Sequence, residues 1–223
     1  VFMANAQGVA KKTALDEFRN PRKAGIIAID FDEGDYLIGA ALTDGHHDVM
    51  LFSDGGKAVR FAEGDLRPMG RNARGNKGMA LDEGQSVIAM LVAEDESQSV
   101  LTATENGYGK RTGIAEYTRH GRGTKGMIAI QQSERNGKVV AATLVRPDDE
   151  IMLITDRGVL VRTRVAEIRE LGRATQGVTL IALDNGSKLI GLQRIVENDA
   201  NGDTPSEPTN GSARTEPPAE ENP

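Results

Sequence analysis

The sequence has no cysteine and no tryptophan. Without thiols there is no disulfide framework and no cysteine-based metal site, a usage that fits a reducing cytoplasm. Three Tyr and five Phe are the whole aromatic content, too few for the exposed rings on which single-stranded bases stack. No apolar run approaches the ~18 residues of a membrane span, and no secretory n-region and h-region open the chain. Histidine is nearly absent. His46, His47 and His120 show no metal-ligand spacing with Cys or acids, and His46-His47, beside Asp44 and Asp48, reads as a solvated turn. The glycine-rich stretches lack G-x-x-x-x-G-K-[ST], so no Walker-type phosphate cradle is written. These absences disfavour an enzyme and leave a binding or interaction module.

What the chain does have is repetition. An apolar pair opens each of four copies at Val1-Phe2, Val49-Met50, Val100-Leu101 and Ile151-Met152. Seven positions on stands Gly8, Gly56, Gly107 or Gly158, and eleven on a base, Lys12, Arg60, Arg111 or Arg162. Sixteen on stands an acid, Glu17, Asp65, Glu116 or Glu167, followed by Phe18, Leu66, Tyr117 or Ile168. The acid reads as a structural partner and the apolar residue after it as core. Copies start 48, 51 and 51 residues apart, a period typical of propeller blades. Within each copy a first hairpin turns at a glycine; in Glu105-Asn106-Gly107 the Asn-Gly pair is a strong hairpin signal because both residues tolerate positive φ. A second hairpin turns at Asp32-Glu33-Gly34, Asp82-Glu83-Gly84, Arg135-Asn136-Gly137 or Asp184-Asn185-Gly186. Four strands per copy make a blade. Helix is limited to one short turn per copy, as at Leu15 to Phe18, Ile114 to Tyr117 and Val165 to Ile168, since no segment sustains a 3.6 period. The expectation is an all-β, propeller-like fold of four blades, about 1–48, 49–99, 100–150 and 151–196.

Residues 197–223 differ. They carry five of the eight prolines and seven acids against Arg214. This segment is expected to be a disordered acidic tail, either a solubilising end or a competitor for basic surface. It accounts for the chain's net charge of −6, which leaves residues 1–196 neutral, with 26 acids and 26 bases. Since residue 1 already lies in a strand pattern, the sequence reads as an excised piece of something longer.

The bases of that neutral body are not scattered. Between the two hairpins of every copy lies a loop dense in Arg, Lys and Gly. It contains Arg22 and Lys23 in the first copy, Arg71, Arg74 and Lys77 in the second, Arg119, Arg122 and Lys125 in the third, and Arg173 in the fourth. Outer strands add Lys12, Arg60, Lys110, Arg111, Arg162 and Arg164. One such loop means little, because basic turn residues are ordinarily just solvated. The same loop in four successive blades predicts a positive belt suited to a nucleic-acid backbone, bound electrostatically and without sequence reading. With so few aromatics, duplex is the expected form.

The strings VFMANAQGVAKKT (Val1 to Thr13), VMLFSDGGKAVRF (Val49 to Phe61), LTATENGYGKRT (Leu101 to Thr112, with Glu116-Tyr117) and IMLITDRGVLVRTR (Ile151 to Arg164, with Gly172 to Gly177) resemble the C-terminal domain of DNA gyrase A. The sister domain of DNA topoisomerase IV is the nearest alternative, and a propeller serving as a protein-interaction platform is the other. The resemblance implies a β-pinwheel, whose blades exchange strands, that wraps duplex DNA and hands a segment to the N-terminal cleavage core. Negative supercoiling then belongs to an A2B2 holoenzyme of gyrase A and gyrase B in the bacterial cytoplasm. ATP and magnesium are bound elsewhere, so no cofactor and no catalytic residue is expected in this chain. The family has six blades, so two are expected to be missing, together with a Q-R-R-G-G-K-G box. Arg74-Gly75-Asn76-Lys77-Gly78 and Arg122-Gly123-Thr124-Lys125-Gly126 match the last five box positions save one each, and this carries DNA contact over to Arg74, Lys77, Arg122 and Lys125.

Overall fold

The structure, a computed structural model, describes residues 1–184 and 186–196; the expected acidic tail lies outside them. The first repeat forms β1 (Phe2–Asn5), β2 (Val9–Lys12) and β3 (Leu37–Ala41). The second forms β4 (Asp48–Ser53), β5 (Lys57–Ala62), β6 (Asn76–Lys77) and β7 (Val87–Ala93). The third forms β8 (Ser99–Thr104), β9 (Tyr108–Gly113), β10 (Met127–Ile128) and β11 (Val139–Val145), and the fourth β12 (Glu150–Thr155), β13 (Leu160–Arg164), β14 (Val178–Thr179) and β15 (Leu189–Ile195). One short 3-10 turn follows the first hairpin of each repeat: Leu15–Phe18, Glu63–Asp65, Ile114–Glu116 and Val165–Glu167.

The first hairpins are set by two small features. Gly8, Gly56, Gly107 and Gly158 all have φ between +75 and +82°, a region other residues enter only with strain. A short polar side chain three residues before each glycine clamps the turn. Asn5 Oδ1 accepts from the Val9 amide at 2.7 Å and Thr155 Oγ1 from the Val159 amide at 3.0 Å. The Asn106-Gly107 turn joins β8 to β9 as expected, with positive φ at the glycine and at no described non-glycine residue. The Asn106 side chain donates to the Glu134 and Arg135 carbonyls at 3.2 and 3.1 Å.

The second hairpin of each repeat does not close on itself as the residue pattern suggests. Sheet orders are β3-β1-β2-β6, β10-β5-β4-β7, β11-β8-β9-β14 and β13-β12-β15. The outermost strand of each of the first three sheets is thus a two-residue piece donated by the next repeat: Lys77 pairs with Val9, Met127 with Ala58, and Val178 with Gly109. This is the strand exchange of a β-pinwheel. The fourth sheet has three described strands rather than four.

Successive sheets bury their faces against each other. In β4, Val49 and Leu51 pack with Phe2, Ala4 and Ala10 of the first sheet, while Met50 and Phe52 pack with Val100, Ile114 and Tyr117 of the third. That is why these strands read as continuous apolar runs rather than as alternation. Two ring pairs cross the same boundaries: Phe2 with Phe61 at 6.3 Å and Phe52 edge-on to Tyr117 at 5.9 Å. The expected core series holds for Leu66, Tyr117 and Ile168, which are buried, and for Phe18 in part, which is half-buried. Innermost strands pack in chain order, β3 on β7, β7 on β11 and β11 on β15, with no comparable packing of β15 on β3. The described sheets form an open arc with the donated strands and basic loops on its outer rim.

Candidate nucleic-acid interface

The basic loops are held by the blade before them. The Gly8 carbonyl accepts from the Gly78 and Met79 amides at 2.8 and 3.0 Å, Gly56 from Ala129 and Ile130, and Gly107 from Leu180 and Ile181. The repeated turn glycine is therefore also the joint to which the next repeat docks. A Cβ on Gly107 would stand 2.5 Å from the Ile181 carbonyl, whereas one on Gly158, which no following repeat approaches, would meet nothing within 4 Å.

Four expected nucleic-acid contacts turn out to be fastenings of the same joints. Lys12 Nζ donates to the Glu63 carbonyl at 3.0 Å, and Arg111 Nε to the Ile168 carbonyl at 2.8 Å. Arg60 is buried. It donates to the Ile114 and Tyr117 carbonyls at 3.1 and 3.2 Å and pairs with Asp48 at 2.8 Å and Glu96 at 3.0 Å. Lys110 is fully buried, its Nζ donating to the Gly172 carbonyl at 2.6 Å and to that of Arg173. Lys11, at the equivalent place in the first repeat, likewise holds the Ala28 and Arg71 carbonyls. The physical reason is the strand exchange: it lays the next repeat's 3-10 turn and loop over these side chains, where the exposed carbonyl ends need donors. Arg162, in the sheet that receives no strand, pairs with Glu150 instead.

The loop residues stand where the sequence places them. Arg22, Lys23, Arg74, Lys77, Arg119, Arg122 and Lys125 are exposed, and Arg71 and Arg173 half-buried. Each loop is also bonded to the one before it. Arg71 donates to the Ile27 carbonyl at 2.8 Å, Arg122 to that of Lys77 at 3.1 Å, and Arg173 to that of Ile128 at 2.7 Å. Backbone bonds run alongside: the Gly123 amide to the Gly78 carbonyl at 2.6 Å and that of Gln131 to Thr175 at 2.9 Å. Four loops thus join in chain order into one continuous strip.

Part of its charge is compensated. Arg74 pairs with Asp30 and Asp32, Lys125 with Asp82, Arg119 with Asp48 at 2.8 Å, and Arg164 with Glu167 at 3.8 Å. Lys125 and Lys57 hold the Asp82 carboxyl below the usual range. The pairs of Arg74 and Arg164 are exposed on both sides; such pairs contribute about 0–1 kcal/mol, little enough for a phosphate to displace the acid, whereas Arg119 faces a buried Asp48. Arg22, Lys23, Arg71, Lys77, Arg122 and Arg173 have no acidic partner among the described residues. Arg22 and Arg71 line a recess of about 420 Å³ with Asn20 and Asn72. Two further bases, Arg67 and Arg169, are not among the expected contacts, yet both are exposed and likewise without an acidic partner there. The signal for them is present in the sequence, since each stands two residues after the repeated acid, in the register of Arg19.

The repeated acid is less uniform than expected. Glu17 and Glu116 are exposed, and Asp65 serves through its carbonyl, which accepts from Arg122 at 3.2 Å. Among the described residues, Glu167 is the one of the four that forms an ion pair, with Arg164.

A family model described as "DNA gyrase C-terminal domain, beta-propeller" matches residues 1–44, 47–94, 98–146 and 149–195. The chain is 54% identical over 197 residues to DNA gyrase A of Pseudomonas aeruginosa, covering 88% of this chain and 21% of that protein. It is 52% identical to DNA gyrase A of Escherichia coli, covering 88% and 22%. This chain therefore spans about a fifth of the curated relatives it matches. A solved DNA gyrase A C-terminal domain aligns with a TM-score of 0.78 at 28% identity, over 87% of this chain and 65% of that one. The C-terminal domain of DNA topoisomerase IV aligns with a TM-score of 0.83 at 23% identity, over 87% and 61%, a likeness of fold.

Proposed function

Because the chain belongs to the DNA gyrase C-terminal domain, beta-propeller family, we propose that it binds and wraps duplex DNA, without regard to sequence, on behalf of DNA gyrase A. The observation that carries this reading is the joining of consecutive basic loops into one rim strip. A duplex presents an unbroken line of phosphates, and a strip of guanidinium and ammonium groups at repeated intervals complements it. Arg22, Lys23, Arg67, Arg71, Arg74, Lys77, Arg119, Arg122, Lys125, Arg169 and Arg173 supply the contacts, with Arg162 and Arg164 at the end of the path.

Double-stranded DNA is favoured over single strands by where the rings lie. Phe2, Phe52, Phe61 and Tyr117 are buried, and Tyr108 is capped by the Arg135 guanidinium at 4.5 Å. No row of exposed rings among the described residues awaits unpaired bases. In this reading DNA cleavage, the ATP site and magnesium belong to the other parts of an A2B2 assembly of gyrase A and gyrase B. That assembly works on the bacterial chromosome in the cytoplasm, and the chain supports its ATP-dependent negative supercoiling.

The test is the salt dependence of binding to unrelated duplexes. Affinity should fall linearly on a log–log plot and hardly vary with sequence. Lys77→Ala and Arg122→Ala together should lower the slope by about 0.9 for each phosphate contact removed. An unchanged slope would reject the rim as the DNA path, and a protein partner displaced by neither DNA nor salt would favour an interaction platform instead.

A further inference from the structure

We propose that Asp44, His47 and Glu63 bind a divalent first-row cation of the zinc class at the junction between the first two sheets. Asp44 and His47 lie in the connection from β3 to β4, and Glu63 opens the 3-10 turn after β5. Their donor atoms lie within 4.8 Å of one another. His47 Nδ1 is 2.9 Å from Asp44 Oδ1 and 3.7 Å from Glu63 Oε1. Ligands of a tetrahedral zinc stand about 3.3–3.5 Å apart, so these distances bracket what a shared ion needs. The pair His46-His47, which in sequence reads as a solvated turn, therefore supplies one imidazole that turns inward onto two carboxylates.

The independent sign is the state of Glu63. Its side chain is 1% exposed. Oε1 accepts the Gly45 and His47 amides at 2.8 and 2.9 Å, while Oε2 is enclosed without a hydrogen-bond partner. A buried oxygen with no donor is costly, and a cation removes that cost. The cation nearest Glu63 is engaged elsewhere: Lys12 Nζ donates to the Glu63 carbonyl at 3.0 Å. A recess of about 470 Å³ opens onto Thr43, Gly45 and Glu63. One imidazole and two carboxylates suit zinc or manganese; calcium needs more oxygens than this site offers.

Calorimetric titration of the whole chain with zinc chloride, and separately with manganese chloride, tests this. One saturable site is expected for zinc, weakened at least tenfold in His47→Ala and in Asp44→Asn, and unchanged in His46→Ala. Zinc should raise the unfolding midpoint of the wild type and not of His47→Ala, because only a ligand of the folded state stabilises it. Glu63→Gln keeps an acceptor for the two amides, and its loss of binding would complete the set. Should that variant fail to fold, the two exposed-side variants decide alone. No saturation by either ion at millimolar concentration, or the same isotherm in His47→Ala, would overturn the proposal.

Discussion

The ammonium of Lys110 sits where no solvent reaches it and holds two carbonyls of the next repeat's loop. Burial, helped by the Arg173 guanidinium and opposed by Glu116, brings its pKa from 10.5 to about 8. The unfolded chain keeps this proton up to about 10.5 and the folded chain only up to about 8. Between those values the unfolded state binds more protons, so the contribution of Lys110 to stability rises with pH across that window; below it the whole penalty of a buried charge applies. Urea unfolding of wild type and Lys110→Met at pH of about 7.5 and 9.5 should show the wild type gaining relative to the variant at the higher pH. An equal gap at both would mean that the group is hydrated. Arg60 is the harder case to remove. Arg60→Met strips Asp48 of one of its two bases and leaves the Ile114 and Tyr117 carbonyls without this donor. Breaking a buried pair costs about 3–5 kcal/mol. The low end, about 3 kcal/mol, is expected in denaturant unfolding because Arg119 still faces Asp48.

At the scale of the element, the first hairpin and its glycine serve two purposes that can be separated. Gly107 and Gly158 share the same left-handed φ, yet only Gly107 has the next repeat's carbonyl 2.5 Å from where a Cβ would go. Gly158→Ala should cost about 1–2 kcal/mol, the strain of that backbone conformation. Gly107→Ala should cost at least about 1 kcal/mol more from the clash, read as the difference in unfolding midpoints at unchanged denaturant slope. The same pair marks the boundary of what the sequence makes legible. Apolar strands, turn glycines and the place of each basic loop follow from local pattern, because a hairpin is made by neighbours in sequence. The partner of Asn76–Lys77, Met127–Ile128 or Val178–Thr179 lies about one repeat away and leaves no local mark in the pairing strands. The base eleven positions into each repeat misleads for the same cause. Its regularity is real, but in the first three repeats what it touches is a carbonyl of the following repeat, which only the exchanged topology brings near. Glu63 is illegible in another way, since the repeats offer apolar Ile114 and Val165 at the corresponding position and nothing announces a buried acid.

Over the whole molecule, the loops of the second, third and fourth repeats are docked on the previous blade by the same kind of joint and bonded to the loop before them. If a duplex follows this strip, phosphate neutralisation should be shared among the loops, and loss of contacts from one should leave the rest in place. Four variants address this: Arg22→Ala with Lys23→Ala, Arg67→Ala with Lys77→Ala, Arg122→Ala with Lys125→Ala, and Arg169→Ala with Arg173→Ala. For a long duplex each should reduce the salt slope by a similar amount, up to about 1.8 for two contacts, with decrements adding when variants are combined. Circular dichroism and unfolding midpoints check that the arc stays intact, because Arg122 and Arg173 also donate to carbonyls of the preceding repeat. A single variant that abolishes the slope, with the other three silent, would replace the continuous rim by one local site, and the four-fold repetition of bases would then need an explanation in folding rather than in DNA.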